Sequence, residues 1–416
     1  MIRISLGVAA ALAVSAPQSA SADTVCEWMD FAGRIIEKDV TPPGALRTPE
    51  HAQGKTQVAL AMFEALNAID RRYESYLQLS TVAPSASQHA AAVTAAYRVL
   101  MHHYPAQTRA LDENYAMAMS GETDLSARDA GVAVGEAAAK AAVAAGGIDP
   151  AIAQTPYRPR VRAGEWTATA LPVFEPFDVA FRPWVLPNVE AVRPPPPPAL
   201  TSELYARDLA EVQRAGGRAS TARTPNETLM ARYRITPDMM PSLRLAADAP
   251  GRPLVQNARL FALMQMATDD AYMATAAAKL HYNYWRPIVA IRNADEDGNP
   301  ATTLDAAWTP LIGTPNHPEY PCGHCTFAGA AAEIMSAEVG ARPASGVRVT
   351  SRSIPEASVQ VLPSWDEWVN QVNYSRILGG VHYRFSNDAG EKVGRDTAKL
   401  TLAKVMRPLA EGQARR

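Results

Sequence analysis

The sequence has few cysteines, little net charge and one long apolar run. Its three cysteines, Cys26, Cys322 and Cys325, exclude a disulfide scaffold, and an odd number leaves at least one thiol free or paired between chains. A formal net charge of −2 argues against a nucleic-acid partner, because such partners select strongly basic surfaces. The apolar run, residues 4–16, is too short to cross a bilayer, so we expect no membrane span.

That run lies in a segment ordered like a secretory signal peptide. Arg3 gives a short basic region, residues 4–16 give the apolar core, and "ASA" at 20–22 offers a cleavage site before Asp23. We therefore expect residues 1–22 to be removed near Ala22 and the mature chain to be secreted or periplasmic.

Helical spacing dominates the remaining sequence, and β-branched runs are scarce. Val58, Met62, Leu66 and Ile69, for example, follow one another at steps of four, four and three residues. The pattern predicts an all-α chain of helical bundles with irregular structure over 288–323. Helices are predicted over 54–80, 86–101, 105–119, 126–145, 201–215, 225–235, 255–286, 324–339 and 388–408, and from the Ser364-x-x-Glu367 capping box to Gly379–Gly380.

Residues 148–200 depart from this pattern. They are rich in proline and end in a polyproline run at 194–198, which excludes a regular helix. We expect an ordered connector that wraps a surface, because the stretch carries Trp166, Phe174, Phe177, Phe181 and Trp184. The predicted organisation is a signal peptide at 1–22, an N-terminal helical region at 23–147, the connector at 148–200 and a C-terminal helical bundle at 201–416.

The first of three clusters with chemical potential is "KLHYNYWRP", residues 279–287. On one continuous helix, Lys279 and Arg286 would share a face about 10 Å apart along the axis. Read alone, the pair is typical of a solvated cationic stripe. The neighbouring Tyr282, Tyr284 and Trp285 instead favour partial burial, and buried cations need an anion.

The second cluster, "HPEYPCGHCTF" at 317–327, allows two interpretations. Cys-Gly-His-Cys is a disulfide-exchange spacing, but that chemistry belongs after a strand in a βαβ unit, and no such strand is expected. Alternatively, Pro321-Cys322-Gly323-His324 opens a helix whose N–H groups face an anion. Gly323 then permits close approach of the backbone, and His324 can transfer a proton. A bond between Cys322 and Cys325 that gates this pocket stays open as a hypothesis.

The third cluster is "SRILGGVHYRFSND", residues 375–388. Arg376 falls in the last turn of a predicted helix and His382 follows the Gly-Gly break. On a continuous helix these two side chains would point to different faces, so the glycines must turn the chain for them to converge. Considered separately, the arginine is typical of a helix C-terminus, where a positive charge interacts favourably with the helix dipole, and the histidine is typical of a loop.

Together the clusters predict a site for a multiply charged tetrahedral oxyanion. Two arginines, a lysine and a helix N-terminus supply the positive charge and donors. Two histidines supply a nucleophile or ligand and a proton donor. Asp269 and Asp270, upstream on the same helix as Lys279, are carboxylates of which one could pair with an arginine of the site.

Lys-x6-Arg-Pro, Pro-x-Gly-His and Ser-Arg-x5-His, in this order, resemble the vanadium-dependent haloperoxidases and the related type 2 phosphatidic acid phosphatases. The stretches "AKLHYNYWRPIVAIR", "RPPPPPALTSELYARDLAEV" and "LAMFEALNAIDRRY" are similar to the bacterial haloperoxidase-like branch. The resemblance implies an α-helical bundle, a vanadate cofactor, and hydrogen peroxide and halide as substrates. It also implies site roles: Lys279, Arg286, Cys322, Gly323 and Arg376 bind the oxyanion, His382 is the vanadate ligand, and His324 is the acid–base.

The phosphatase branch implies a different reaction at the same residues. There His382 would attack a small phosphate ester without a metal, and His324 would protonate the leaving group. A non-catalytic oxyanion-binding relative is the third alternative.

Three positions help to distinguish the haloperoxidase interpretation from the phosphatase interpretation and to indicate the halide. Cys322 replaces the family's usual serine, and a thiol is the weaker donor. Ser386 stands where phosphatases carry an aspartate, which leaves Asp388 as the candidate to orient His382. His317, seven residues before His324, matches a histidine of bromoperoxidases and favours bromide over chloride.

Overall fold

A computed structural model describes residues 23–39, 49–147, 160–170 and 181–410, together with residues 158 and 173. These parts of the chain are mostly helical, which confirms the all-α prediction. The signal peptide predicted at 1–22 lies outside the described residues. The helices are α1 Thr24–Asp39, α2 Pro49–Ile69, α3 Gln88–His103, α4 Thr108–Met119, α5 Leu125–Ala145, α6 Glu203–Gly216, α7 Pro225–Tyr233, α8 Met240–Ala247, α9 Leu254–Tyr282, α10 Pro287–Arg292, α11 Gly323–Val339, α12 Trp365–Leu378 and α13 Arg384–Lys404.

A small antiparallel sheet accompanies the helices and was not predicted. Its strands are β1 Pro237–Asp238, β2 Val347–Ser351 and β3 Gln360–Leu362, in the order β1-β2-β3. Pro237 lies opposite Ser351, and Val347 opposite Leu362. The sheet packs against α8 through β2 and against α12 through β3.

Alanine and glycine let the N-terminal helices pack closely. α2, α3 and α5 contact one another, and α3 buries Ala90 through Ala96. At Gly135 of α5, an added Cβ would lie 2.5 Å from the carbonyl oxygen of Ala91, so no larger residue fits there without separating the helices. α2 also packs on α9, which joins the N-terminal helices to the C-terminal ones.

The C-terminal helices surround α9, a helix of 29 residues. α9 contacts α11 and α13, and α11 and α13 pack against each other. Gly390 of α13 faces the backbone of Cys322, and Gly394 faces Thr326. This close packing fixes the first turn of α11 against α13, because any side chain at either glycine would meet backbone atoms.

Two predicted helices are too long. The helix expected over 54–80 ends at Ile69, and the one expected over 255–286 ends at Tyr282. Asn283 follows with a left-handed φ of 43°, a conformation that asparagine tolerates better than most residues. Lys279 and Arg286 therefore do not share a helix face, and that expectation is wrong.

The stretch expected to be irregular also contains a helix. Arg286 precedes α10 as its N-cap residue, and α10 covers Pro287–Arg292. A 3-10 turn follows at Ala294–Glu296. α13 begins at Arg384, four residues before the predicted start.

The connector is ordered where the structure describes it, as predicted. Trp166, Phe181 and Trp184 are buried, whereas Phe174 and Phe177 lie outside the described residues. The backbone N–H of Trp166 donates to the carbonyl of Asn283 at 2.7 Å. The connector thus holds the turn between α9 and α10, immediately before Arg286.

The Gly-Gly break behaves as predicted. Ser364 caps α12 by accepting a hydrogen bond from the N–H of Glu367 at 3.1 Å. α12 ends at Leu378, Gly379 is its C-cap and Gly380 has a φ of 78°. The left-handed glycine reverses the chain, so that His382 follows Arg376 back toward the same region. None of the helices in the described ranges is both long and apolar enough to cross a membrane.

Candidate active site

The three clusters meet where α9 ends, α11 begins and α12 turns into α13. His382 lies at the centre and is buried. Its Nδ1 is 2.6 Å from Oε1 of Glu319, and its Nε2 is 3.2 Å from Nη1 of Arg286. A guanidinium can only donate, so Nε2 carries a lone pair and Nδ1–H donates to the carboxylate.

His382 is therefore a neutral imidazole with a defined tautomer. Burial and the nearby Arg286, Lys279 and Arg376 hold the pKa of His382 well below its usual value. A histidine oriented by a carboxylate through one nitrogen is the usual arrangement when the other nitrogen binds a metal.

Glu319 was not singled out by sequence reasoning. It is fully buried, and Oε1 also lies 3.3 Å from the backbone nitrogen of Tyr383. Burial raises the pKa of Glu319 to about 7, and Arg286 and Lys279 oppose the rise. The available signal was an acidic residue flanked by Pro318 and Tyr320, since a carboxylate in such apolar surroundings needs a partner.

Asp388, the residue expected to orient His382, lies elsewhere. It is exposed on α13, and the charges that act on it belong to Arg384, Asp208, Glu391 and Arg207. The structure thus gives the orienting contact to Glu319 and does not bring Asp388 to the site.

Arg286 links the first cluster to the third. Its Nε donates to the carbonyl of His317 at 3.0 Å, and its Nη1 donates to the carbonyl of Val381 at 2.9 Å. Burial lowers the pKa of Arg286 to about 10, with Glu319 opposing. The side chain remains a cation at neutral pH, and it is fixed beside His382.

Arg376 is buried, and its donors Nε and Nη1 have no hydrogen-bond partner. Burial and the positive charge of Arg286 together lower the pKa of Arg376 to about 9. Unpaired buried donors on a cation are unfavourable. An anion bound beside Arg376 would accept hydrogen bonds from these donors and so remove the cost of burying them unpaired.

Lys279 is also buried at the site but is already hydrogen-bonded. Its ammonium donates to the carbonyls of Pro318, Glu319 and Pro321. Burial holds the pKa of Lys279 well below its usual value, and Arg286 contributes. Lys279 therefore fixes the loop before α11 and adds positive charge to the site without a free donor.

His324 opens α11 beside these cations. Its Nε2 lies 2.9 Å from the carbonyl oxygen of Ile235, so Nε2 carries the proton and Nδ1 the lone pair. Burial and Arg376 lower the pKa of His324 to about 3, although the Ile235 carbonyl opposes this. In the ligand-free protein His324 is therefore neutral, with the lone pair of Nδ1 unprotonated.

Cys322 does not supply the thiol donor that the resemblance implied. Cys322 and Cys325 form a disulfide, and Sγ of Cys322 accepts a hydrogen bond from the N–H of Cys325 at 3.2 Å as the N-cap of α11. A disulfide sulfur has no hydrogen to donate. Gly323, the first residue of α11, keeps an N–H that no intrahelical carbonyl can bind.

His317 lies next to Arg286. Its Nδ1 is 3.1 Å from Nη2 of Arg286. Burial, Arg286 and Lys279 hold the pKa of His317 well below its usual value. His317 is therefore neutral at the edge of the cation cluster.

Asp269 and Asp270 do not pair with the arginines of the site. Asp270 accepts hydrogen bonds from the backbone N–H groups of Trp184, Val185 and Leu186 at 2.7 to 2.8 Å. Asp269 accepts from the indole N–H of Trp184 at 3.2 Å. These carboxylates attach the connector to α9.

The site therefore fits an oxyanion. Lys279, Arg286 and Arg376 carry three positive charges around His382, whereas Glu319 is the buried carboxylate that the same charges act on. Two donors of Arg376 lack a partner. A vanadate or phosphate group would offset the excess charge and accept from these donors.

Comparisons with known proteins agree with this arrangement. Residues 259–411 match a family model described as the VCPO second helical-bundle domain. Vanadium chloroperoxidase of Curvularia inaequalis is 35% identical over 88 residues, which is 19% of this chain and 14% of that protein. The alignment thus spans about one seventh of this curated relative's length.

Solved structures extend the similarity of fold to most of the chain. A bacterial vanadium-dependent iodoperoxidase superposes with a TM-score of 0.75 at 20% identity, over 96% of this chain and 99% of that one. A holo-type bacterial vanadium-dependent chloroperoxidase superposes with a TM-score of 0.67 at 18% identity, over 88% and 96% respectively. The matched family segment holds all three clusters. The chain therefore has the fold of these vanadium-dependent haloperoxidases, and its residues 259–411 are similar in sequence to the second helical-bundle domain of the family model.

Proposed function

We propose that this chain is a vanadate-dependent haloperoxidase that oxidises a halide with hydrogen peroxide. The observation that carries the proposal is the buried excess of positive charge at His382, with unpartnered donors on Arg376. Such a site selects a compact, multiply charged oxyanion over a neutral or monovalent ligand.

Each residue of the site has a distinct part in binding vanadate. His382 would hold the vanadium through Nε2, and Glu319 would keep that nitrogen unprotonated by accepting the Nδ1–H. Arg286, Arg376 and the Gly323 N–H stabilise the oxygens, with the charge of Lys279 behind them. Bound vanadate supplies the Lewis acidity that polarises hydrogen peroxide for attack by a halide.

His324 accepts the proton in this proposal. Its Nδ1 lone pair is available because Nε2–H donates to the Ile235 carbonyl. Peroxide must lose a proton to bind as an anion, and a neutral histidine beside Arg376 can take it. The negative charge of a bound oxyanion would raise the pKa of His324 from about 3, so that it could return the proton when the halide is oxidised.

We also propose bromide rather than chloride as the preferred halide. His317, beside Arg286, is the residue that supports this preference. Halogenation of a phenolic dye at matched bromide and chloride concentrations tests it. A higher kcat/KM for chloride in wild type would contradict the assignment.

The test of the reaction compares peroxidase and phosphatase activity in one preparation. Wild-type protein is reconstituted with orthovanadate and assayed for peroxide- and halide-dependent halogenation of the dye. His382→Ala should abolish halogenation. His281→Ala is the matched control, because His281 lies near the end of α9 but is exposed and contacts Arg193.

Two other results would replace this proposal. Hydrolysis of a small phosphate ester that vanadate inhibits, without halogenation, would assign the phosphatase reaction with His382 as nucleophile. Vanadate binding without either activity would assign a non-catalytic oxyanion-binding protein.

We propose further that the chain acts after export, in the periplasm or outside the cell. The signal-like order of residues 1–22 supports this, and so does the Cys322–Cys325 disulfide, since such bonds persist in oxidising compartments. Amino-terminal sequencing of periplasmic protein should begin at Asp23. Accumulation of the uncleaved chain in the cytoplasm would contradict export.

A further inference from the structure

Tyr272 lies on α9, near the first turn of α11, and is exposed to solvent. It sits on α9, seven residues and about two turns before Lys279, on the same side of the helix. Its residue surface is 41% exposed. Its ring packs near Phe327 on the second turn of α11, with centroids 6.4 Å apart.

One carbon of this ring faces the first residue of α11. A Cβ built on Gly323 would lie 3.7 Å from Cε1 of Tyr272. The phenol is also close enough to Arg376 to raise the pKa of that guanidinium. The ring is therefore exposed to solvent and, at the same time, lies beside Gly323, a residue that we assign to the oxyanion.

Cε1 is ortho to the phenol hydroxyl, and an ortho carbon of a phenol is where electrophilic halogen attacks. Among the tyrosines of the described ranges, Tyr272 is the one with an exposed side chain. Tyr272 thus combines reactivity, access and proximity.

We propose that Tyr272 is a self-modification site, halogenated at Cε1 by hypohalous acid formed at the adjacent cluster. The inference rests on the proposed haloperoxidase function. Hydrogen peroxide oxidises the halide to hypohalous acid, with one proton taken up and water released. The ring then forms a carbon–halogen bond, the oxygen–halogen bond breaks, and the proton lost from Cε1 leaves with hydroxide as water.

A halogen at Cε1 would also change the entrance to the site. It would occupy space beside Gly323, where the ring carbon is already in van der Waals range of an added carbon. Turnover without an organic acceptor should therefore slow as Tyr272 becomes modified. Tyr272→Phe keeps the ring but lacks the activating hydroxyl, so its rate should hold steady.

Peptide mass spectrometry tests the modification directly. The vanadate-loaded enzyme is given iodide and limiting hydrogen peroxide without an acceptor, and is then digested with trypsin. Residues 260–279 form a tryptic peptide whose single tyrosine is Tyr272 and which lacks histidine and tryptophan. Residues 110–128 form an internal reference whose single tyrosine is Tyr115, a half-buried residue of α4.

The comparison must separate proximity from simple exposure. Vanadate-free protein treated with hypoiodite in solution gives the ratio of iodine on Tyr272 to iodine on Tyr115 that exposure alone produces. During turnover we expect this ratio to be about tenfold higher, because the oxidant forms beside the ring. Tyr272→Phe should leave residues 260–279 free of iodine.

The outcomes distinguish this inference from the function it rests on. If the dye is halogenated but the turnover ratio equals the solution ratio, or residues 260–279 carry no iodine, the self-modification is wrong and the haloperoxidase proposal stands. If neither the dye nor any peptide gains halogen, both are overturned.

Discussion

Replacing Arg376 with methionine should stabilise the ligand-free protein and, at the same time, remove its affinity for an oxyanion. Arg376 is buried, two of its donors are unpartnered, and the charge that changes its pKa most is the like charge of Arg286. Methionine keeps an unbranched chain of similar length without charge or donors. The folded protein then no longer buries an uncompensated cation.

The size of the effect follows from the pKa. Burial and Arg286 lower the pKa of Arg376 from 12.5 to about 9. At about 1.36 kcal/mol per pKa unit, the charged form is disfavoured by on the order of 5 kcal/mol. Relaxation and water recover part of this, so we expect Arg376→Met to raise the free energy of unfolding by about 1 to 4 kcal/mol.

The matched control is Arg259→Met on α9. Arg259 is also largely buried, but it forms an ion pair with Glu338 and donates to the carbonyl of Met406 at 2.7 Å. Removing it leaves the buried Glu338 with only the longer ion pair to Arg252, at 3.7 Å, so this variant should lose about 1 to 3 kcal/mol of stability. The two substitutions are chemically identical and should shift stability in opposite directions.

Urea unfolding of the vanadate-free proteins measures the stabilities, and calorimetry with orthovanadate measures binding. Wild type and Arg259→Met should bind with equal affinity, whereas Arg376→Met should bind about a hundredfold more weakly, through loss of charge-assisted hydrogen bonds worth about 3 kcal/mol. If Arg376→Met is less stable than wild type and binds vanadate normally, the guanidinium has a structural partner and the argument fails.

Three further predictions concern the same site. Glu319→Gln should weaken orthovanadate binding about tenfold, because His382 loses its charged partner, and Asp388→Asn should leave it unchanged; calorimetry giving the reverse order would restore Asp388 as the orienting group. Burial raises the pKa of Glu319 from 4.5 to about 7. The contribution of the protonated Glu319 to the free energy of unfolding is therefore complete below about pH 4.5 and is lost as the pH rises through about 7. Between about pH 5 and 8, the free energy of unfolding of ligand-free wild type should fall by on the order of 3 kcal/mol relative to that of Glu319→Gln. Urea unfolding across this range measures the difference, and parallel pH profiles of the two proteins would refute the prediction. Replacing Cys322 and Cys325 together with serine should strengthen vanadate binding about fivefold, since a hydroxyl at 322 can donate to the oxyanion; unchanged affinity would show that residue 322 does not reach the anion.

Much of the site could be predicted from short-range patterns. The turn at Gly379–Gly380 was implied by the need to bring Arg376 and His382 together, and Gly380 adopts the left-handed φ of 78° that such a turn requires. The helix start at Gly323 followed from the apolar run after it. In each case the deciding interaction lies within one or two helical turns of the sequence.

The contacts that were missed are long-range. The helix predicted to stop at Arg286 ends at Tyr282, because Asn283 turns the chain and accepts a hydrogen bond from Trp166, more than a hundred residues earlier. Glu319 reaches His382 from a different segment, whereas sequence spacing pointed to the nearby Asp388. Spacing identifies neighbours on one helix but not partners that the fold brings together.

The three cations of the site are not equivalent, and the difference explains how an anion would be recognised. Lys279 gives its donors to three backbone carbonyls, and Arg286 gives donors to Val381, His317 and His382. Both side chains are therefore held in place before any ligand arrives. The charge of Lys279 acts on the anion without reorganisation, whereas Arg286 must release Nε2 of His382 before that nitrogen can bind vanadium. Arg376 alone of these three keeps buried donors without a partner. Lys279 and Arg286 supply positive charge, whereas an incoming oxyanion forms its new hydrogen bonds with Arg376 first. Replacing Arg376 should therefore weaken oxyanion binding while it increases the stability of the ligand-free protein.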